Sequence, residues 1–272
     1  MTHCHRQYHL DFKLMNIRRY MLLALLLVSW TVVSAQTRII AHRGYWDYAG
    51  GAENYLASLE ASDRIGAYGS EFDVHITRDG RVVVFHDDCV VTDGGRDTLR
   101  IEHAAYRSLR KVRLANGERI PTLEQYLKRG RKTRCRLVLE IKEHLTSQAE
   151  DRCVRKVLEA VRAAKMEDRV DYISFSRYVC RRLRALAPRA EVAYLNGDLT
   201  PREVKDMGLT GIDYRWSVID AHPEWVGECR QLGLSVNVWT VNAPRDMERY
   251  VRMGVDFITT NRPVEALRMV AR

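Results

Sequence analysis

The chain has 272 residues and carries 44 Lys and Arg against 35 Asp and Glu, a net charge of +9. Spread through mixed-sign segments such as PREVKDMG and APRDMERYVRMG, that surplus is a solvated surface; with no basic tract interleaved with aromatics, a nucleic-acid partner is excluded. Six cysteines include no Cys-x-x-Cys pair, which excludes a zinc finger.

Residues 18–36 read RRYMLLALLLVSWTVVSAQ. Arg18 and Arg19 precede an apolar run of about fourteen residues, and Val33-Ser34-Ala35 is a small-residue cleavage site, the layout of a secretory signal. The run is shorter than the roughly twenty residues that span a bilayer, so cleavage after Ala35 is expected, with export to the periplasm or the medium. No Cys follows the apolar run to take a lipid. Met15 opens a signal of ordinary proportions, so residues 1–14 read as a start-site artefact and are assigned no chemistry. Residues 36–272 then have the length of one α/β barrel. Export permits disulfides, but Cys153 and Cys180 lie in amphipathic helical segments, where buried free thiols are expected. Oligomeric state leaves no mark in the sequence.

Along the mature chain short β-rich runs alternate with helical ones. RIIAHRG (38–44) is the first strand, ending on His42 and Arg43, and ENYLASLEASDRIG (53–66) the helix after it. SEFDVHI (70–76) is the second strand, and its Glu71 and Asp73, two apart, share one face, toward the barrel axis. DGRVVVFHDD (79–88) reads as its hairpin partner, turning at Asp79-Gly80 and ending on His86. An insertion of about residues 89–118 follows, expected to be ordered and to project from one barrel mouth as a lid. The helix PTLEQYLKRG (121–130) leads to the strand RLVLEIKE (136–143), where Glu140 and Lys142 repeat the spacing of two. Then come helix 148–165, strand VDYISFS, helix RYVCRRLRALA, strand EVAYLNG, helix PREVKDMG, strand GIDYRWS, helix HPEWVGECRQLG, strand SVNVWTV, helix PRDMERYVRMG, strand DFITTNR and helix VEALRMVA. Eight strand–helix pairs predict a single α/β domain, a (β/α)8 TIM barrel with an insertion after the second strand. Gly66, Gly130, Gly208, Gly233 and Gly254 stand where helices end and are expected as C-caps. No Gly-x-Gly-x-x-Gly follows the first strand, which counts against a dinucleotide-binding open sheet.

In a parallel barrel the chemistry sits at the C-terminal strand ends, where the βα loops converge. Glu71 and Asp73 held together would repel unless a cation lies between them. With Glu140 they form a set of oxygen donors suited to one divalent cation, Ca²⁺ or Mg²⁺, rather than to Zn²⁺. The competing view is a buried ion-pair layer with Glu140 satisfied by Lys142 or Arg43. Burying so many charges costs several kcal/mol per unpaired ion, which favours a metal or ligand. A cation flanked by Arg43 and Lys142 is a receptor for phosphate, and His42 and His86 can exchange protons with an attacking and a leaving oxygen. Such a set transfers a phosphoryl group to a hydroxyl or to water.

The ordered motifs His42-Arg43-Gly44, Glu53-Asn54, Glu71-x-Asp73, Phe85-His86-Asp87-Asp88, Pro121-Thr122-Leu123-Glu124, Glu140-Ile141-Lys142, Ser174-Phe175, Val238-Trp239-Thr240-Val241-Asn242 and Thr260-Asn261-Arg262-Pro263 resemble those of the glycerophosphodiester phosphodiesterase family. The likeness runs from about Arg38 to Pro263. It implies a TIM barrel with an insertion after the second strand, and hydrolysis of small glycerophosphodiesters to glycerol 3-phosphate and an alcohol. It implies a divalent metal on Glu71, Asp73 and Glu140, acid/base catalysis by His42 and His86, and phosphate contacts from Arg43 and Lys142. Glu53 and Asn54 stand at the family's Pro-Glu-Asn-Thr signature and Trp239 at its late-strand Trp, all three expected at the substrate. Departures are Ala52 and Tyr55 around Glu53-Asn54, and Asn261 where Asp is common; none is expected to touch a ligand or proton carrier. His75 is expected in a loop or the core, and Tyr106 and Trp46 as pocket walls. Asp87 and Asp88 favour His86 as the acid. A lysophospholipase D or sphingomyelinase D-like activity would keep this site and act on a lipid, so membrane contact is allowed but not required. A catalytically silent phosphodiester-binding protein should lack at least one of these groups, and all are present.

Overall fold

Eight parallel strands close on themselves in the computed structural model, which describes residues 36–48, 51–92, 95, 97–113 and 116–271. The signal segment, with Arg18, Arg19 and Ala35, lies outside the described residues. The barrel strands are β1 (Arg38–Ala41), β2 (Gly69–Ile76), β6 (Arg136–Ile141), β7 (Val170–Ser174), β8 (Val192–Tyr194), β9 (Gly211–Arg215), β10 (Ser235–Trp239) and β11 (Phe257–Thr260). Their order, β1-β11-β10-β9-β8-β7-β6-β2, is closed by pairing of β1 with β2. β3 (Val82–Val84) adds to β2 antiparallel, with Val74 opposite Val84, so the hairpin at Asp79-Gly80 forms as expected.

Four of the helices begin at a side-chain cap. Thr122 and Thr200 form capping boxes with Gln125 and Glu203, opening helices Leu123–Gly130 and Pro201–Asp206, and Thr146 and Ser176 cap Ser147–Ala163 and Arg177–Leu186. Gly233 and Gly254 end helices Glu224–Leu232 and Pro244–Met253 in the left-handed region at φ +67° and +75°. Gly130 differs from expectation. It is the last helical residue, with Arg131 as a right-handed C-cap, and a Cβ there would lie 2.8 Å from Leu137 Cδ1, so packing rather than dihedral freedom explains it. The segment GIDYRWS stops being a strand at Arg215, because Trp216–Ala221 is helical. Tyr250 Oη donates to Asp220 Oδ1 (2.6 Å), tying that turn to helix Pro244–Met253.

The main core fills the space between sheet and helices, with Phe72 stacked on Tyr126 at 4.2 Å. Cys153 and Cys180 are buried there as free thiols. Inside the barrel Ile40, Val138, Ile173 and Leu195 pack together, but small residues at the N-terminal end, among them Ala193 and Ser235, border a cavity of about 650 Å³. Gly211 is opposite Ser235 in the β9–β10 register, and a Cβ on it would lie 2.9 Å from the Ser235 carbonyl oxygen. Gly211→Ala should therefore cost about 1–3 kcal/mol through forced backbone displacement, measured as a lower midpoint in urea unfolding.

The insertion is ordered over its described residues: a hairpin of β4 (Cys89–Thr92) and β5 (Asp97–Arg100), then a short helix, Tyr106–Leu109. Val90, Ile101, Ala104 and Leu109 bury themselves against Val83 and Ile120, a small core of their own. Tyr106 borders an outer groove with Leu56 and Gln125, away from the mouth. Among its described residues Arg100 reaches the rim, bordering with Asp88 and Lys142 a side cavity of about 260 Å³, and Glu102 accepts from the Leu145 amide there (3.1 Å).

Candidate active site

The first β-strand hands its chain to the site through a strained turn. Arg43 and Asn54 take positive φ values, +56° and +65°, where non-glycine residues are uncommon, and the Asn54 amide donates to the Arg43 carbonyl (2.9 Å). That bond brings Glu53 and Asn54 behind the site rather than into it. Glu53 Oε2 accepts from Arg43 Nη1 (2.6 Å). Asn54 Nδ2 donates to Asp73 Oδ2 (2.8 Å) and its Oδ1 accepts from the Asp73 amide (3.0 Å). The two residues expected at the substrate thus aim Arg43 and Asp73. Trp46 lines no wall; its indole donates to the His42 carbonyl (3.1 Å).

β2 and β6 pair in parallel with Asp73 opposite Glu140, which places Glu71, Asp73 and Glu140 at one strand-end layer. All three are buried, with a ligand oxygen of each within 4.8 Å of the others. Lys142 Nζ lies 2.8 Å from Glu140 Oε1 and 3.5 Å from Asp73 Oδ1, so the sharing of charge foreseen between Glu140 and Lys142 is present as well. Arg43 Nε is 3.9 Å from Asp73 Oδ2, and two cations still leave one of the three carboxylates without a counter-charge. Burial, then Asp73, pushes Glu71 up to about 8, and the same causes raise Glu140 well above the carboxylate range. Burial would raise Asp73 too, but Lys142 and its hydrogen bonds hold it at about 2. Glu71 Oε2 has no hydrogen-bond partner among the described residues. Oxygen donors that can shed protons to a cation, one of them orphaned, fit a hard divalent ion.

His42 sits beyond the end of β1, with Nε2 3.8 Å from Glu71 Oε2. Its Nδ1 is 2.6 Å from Asn261 Oδ1, which corrects the expectation that Asn261 touches no proton carrier. Closure of β1 on β11, with Ala41 opposite Thr260, makes residues 42 and 261 neighbours. An Nδ1–H donated to Asn261 leaves the Nε2 lone pair free, and burial, then Arg43, lowers the imidazole pKa, so this ring is neutral at pH 7. His86 is placed differently: a third of its side chain is exposed and Nδ1 is 2.6 Å from Asp87 Oδ1. Asp88 pairs with Arg100 (3.1 Å). His75 is a buried core residue, as expected, its Nε2 3.2 Å from the His86 carbonyl.

These groups border a cavity of about 270 Å³. His42, Arg43, Glu71, His86, Glu140 and Lys142 form one side, while Phe175, Leu195 and Trp239 belong to the other. Phe175 and Trp239 meet edge to face at 5.7 Å, so the late Trp faces the cavity. Asp213 also lines it, a residue for which the strand GIDYRWS carried no signal beyond one acid in an apolar run. Burial, then Glu71, raises its pKa to about 8.

Residues 42–265 match the glycerophosphoryl diester phosphodiesterase family. A glycerophosphodiester phosphodiesterase of Caldanaerobacter subterraneus is 29% identical over 248 residues, covering 87% of this chain and 99% of its own. The crystal structure of a glycerophosphodiester phosphodiesterase from Parabacteroides distasonis, 45% identical, superposes with a TM-score of 0.83 over 87% of this chain and 98% of that one. An Oleispira antarctica phosphodiesterase in complex with the product sn-glycerol-3-phosphate shares the fold, at 21% identity and a TM-score of 0.77 over 88% of this chain and 99% of that one. With the barrel, the carboxylate triad and a match over most of its length, the chain belongs to the glycerophosphoryl diester phosphodiesterase family, a family of phosphoric diester hydrolases.

Proposed function

We propose that the protein is an exported, metal-dependent phosphodiesterase that hydrolyses glycerophosphodiesters to glycerol 3-phosphate and an alcohol. The observation that carries this is one cavity bordered at once by Glu71 and Glu140 of the carboxylate triad, by Arg43 and Lys142, and by two histidines in unlike surroundings, with Asp73 within 4.8 Å of both acids. Arg43 and Lys142 hold the phosphate oxygens, the first as a fork aimed by Glu53, the second as a point charge. His42 Nε2 takes a proton from water as that oxygen attacks phosphorus; if the substrate's own glycerol hydroxyl attacks instead, the cyclic phosphate it forms is opened by water in a second step to give glycerol 3-phosphate. The bond to the departing alkoxide breaks and His86 supplies its proton. A divalent ion, Ca²⁺ or Mg²⁺, on Glu71, Asp73 and Glu140 would supply the positive charge that draws the phosphate in and steadies charge on its oxygens. The exposed Leu145, which borders the side cavity next to the site, favours a second substrate class, a lysophospholipid, for the same machinery. Purified protein assayed on glycerophosphocholine, a lysophosphatidylcholine and bis(p-nitrophenyl) phosphate, with Ca²⁺, Mg²⁺ or chelator, tests the proposal. Release of glycerol 3-phosphate is expected, and free phosphate or no product at all would overturn it.

Export rests on the Arg18–Ala35 sequence. Among the described residues no helix is long and apolar enough to cross a membrane. The exported protein should begin at Gln36; intact mass showing the apolar run still attached would rule cleavage out.

A further inference from the structure

The two sides of the site cavity differ in what they can bind. One presents Glu71 and Glu140, both histidines, Arg43 and Lys142, which suffices for a phosphate and its metal but leaves the glyceryl hydroxyls without partners. The opposite wall is largely apolar, with Ile173, Phe175, Leu195 and Trp239. Trp239 has one polar hydrogen, and it is spent on the Asp213 carbonyl (2.9 Å). Hydrogen-bonding capacity on that wall therefore rests with the side chains of Asp213 and Thr259.

Both are almost fully buried, 2% and 3% exposed, and both line the cavity. Asn237 lies between them, donating from Nδ2 to Thr259 Oγ1 (2.8 Å) and hydrogen-bonded to the Asp213 carboxyl. Thr259 keeps its own hydroxyl proton to give. Asp213 Oδ1 has no hydrogen-bond partner among the described residues. Folded proteins rarely leave a buried carboxyl oxygen orphaned unless a ligand, ion or water satisfies it.

We propose that Asp213, with Thr259 beside it, is the subsite for the hydroxyl groups of the glyceryl moiety, and so determines the preference for a glyceryl diester over a hydroxyl-free one. The assignment rests on the phosphodiesterase function proposed above. It requires Asp213 to act by hydrogen bonding to substrate, with no part in moving the phosphoryl group. Asp213 also borders the 650 Å³ cavity at the other end of the barrel, and the rival role is to hold water there.

Sn-glycero-3-phosphocholine and propylphosphocholine separate the two roles, because they share phosphate and leaving group and differ by two hydroxyls. The wild type should prefer the glyceryl substrate. In Asp213→Leu, kcat/KM for glycerophosphocholine should fall about 10–100-fold further than for propylphosphocholine, chiefly through KM, so that the preference collapses. Should Asp213→Leu fail to fold, the near-isosteric Thr259→Val is expected to narrow the preference in the same direction. Equal losses on both substrates mean a water-holding or structural role and overturn the proposal, as does an unchanged preference. A wild type that cleaves both diesters equally well also overturns it while leaving the phosphodiesterase function intact; one that cleaves neither overturns both.

Discussion

His86→Ala is expected to lower kcat/KM for glycerophosphocholine by about 10²–10⁴-fold and to cost an aryl diester far less, whereas His42→Ala should damage both substrates comparably. The magnitude is that of general acid–base assistance, and the asymmetry follows from the leaving groups. A choline alkoxide cannot depart without a proton, while a p-nitrophenoxide leaves largely unaided. The two rings differ in their surroundings, which supports the proposed division of roles. His42 is neutral, with Nδ1 committed to Asn261 and its pKa lowered by burial and Arg43, which suits a base. His86 is partly exposed, with Nδ1 2.6 Å from Asp87 Oδ1, a placement at the open side of the site where a leaving group departs. A base works only when deprotonated, so kcat/KM should fall as pH drops through the His42 pKa, at a pH below the ordinary histidine value near 6.5. Steady-state kinetics of both variants on both substrates decides the matter; equal losses across leaving groups in both variants would leave the histidines as phosphate ligands.

Glu71→Gln should lose divalent-ion stimulation together with at least about 10²-fold in turnover, since even partners behind a metal ligand are worth 10–100-fold. Its effect on stability has the opposite sign in the absence of metal. The wild-type triad buries three carboxyl groups beside Lys142 and Arg43, and Glu71 Oε2 has no hydrogen-bond partner among the described residues, so replacing this acid by an uncharged isostere removes the cost of burying its charged form. Chelated Glu71→Gln should therefore be at least as stable as chelated wild type. At a concentration 100 times Kd, Ca²⁺ or Mg²⁺ should stabilise the wild type by about 2.7 kcal/mol, or roughly 5–10 °C in Tm for a domain of this size, and leave the variant unmoved. Chelated wild type with full activity, and no thermal shift on adding either ion, would remove the metal from the mechanism.

Local chemistry was enough to establish the architecture. Each of the eight barrel strands and its following helix announced itself by periodicity, by capping residues such as Thr122, Thr146, Ser176 and Thr200, or by a terminal glycine such as Gly233 or Gly254, because these signals act within a few residues. The spacing of two that put Glu71 with Asp73, and Glu140 with Lys142, on one face is equally local. The curvature and register of the closed sheet decided the rest. Asn261 meets His42 across 219 residues only because β11 pairs with β1. Asp213 is one inward acid on a strand, and nothing within GIDYRWS indicates that Trp239 will bond its carbonyl or that its carboxyl will border the site. Glu53 and Asn54 lie in the right loop, but the left-handed turn at Arg43 sets them behind it. The insertion's apolar residues pack on Val83 and Ile120, partners supplied by segments on either side of it. Which strand ends become neighbours, and which side of a residue faces the cavity, are consequences of barrel closure, a property of all eight strands together that no single segment encodes.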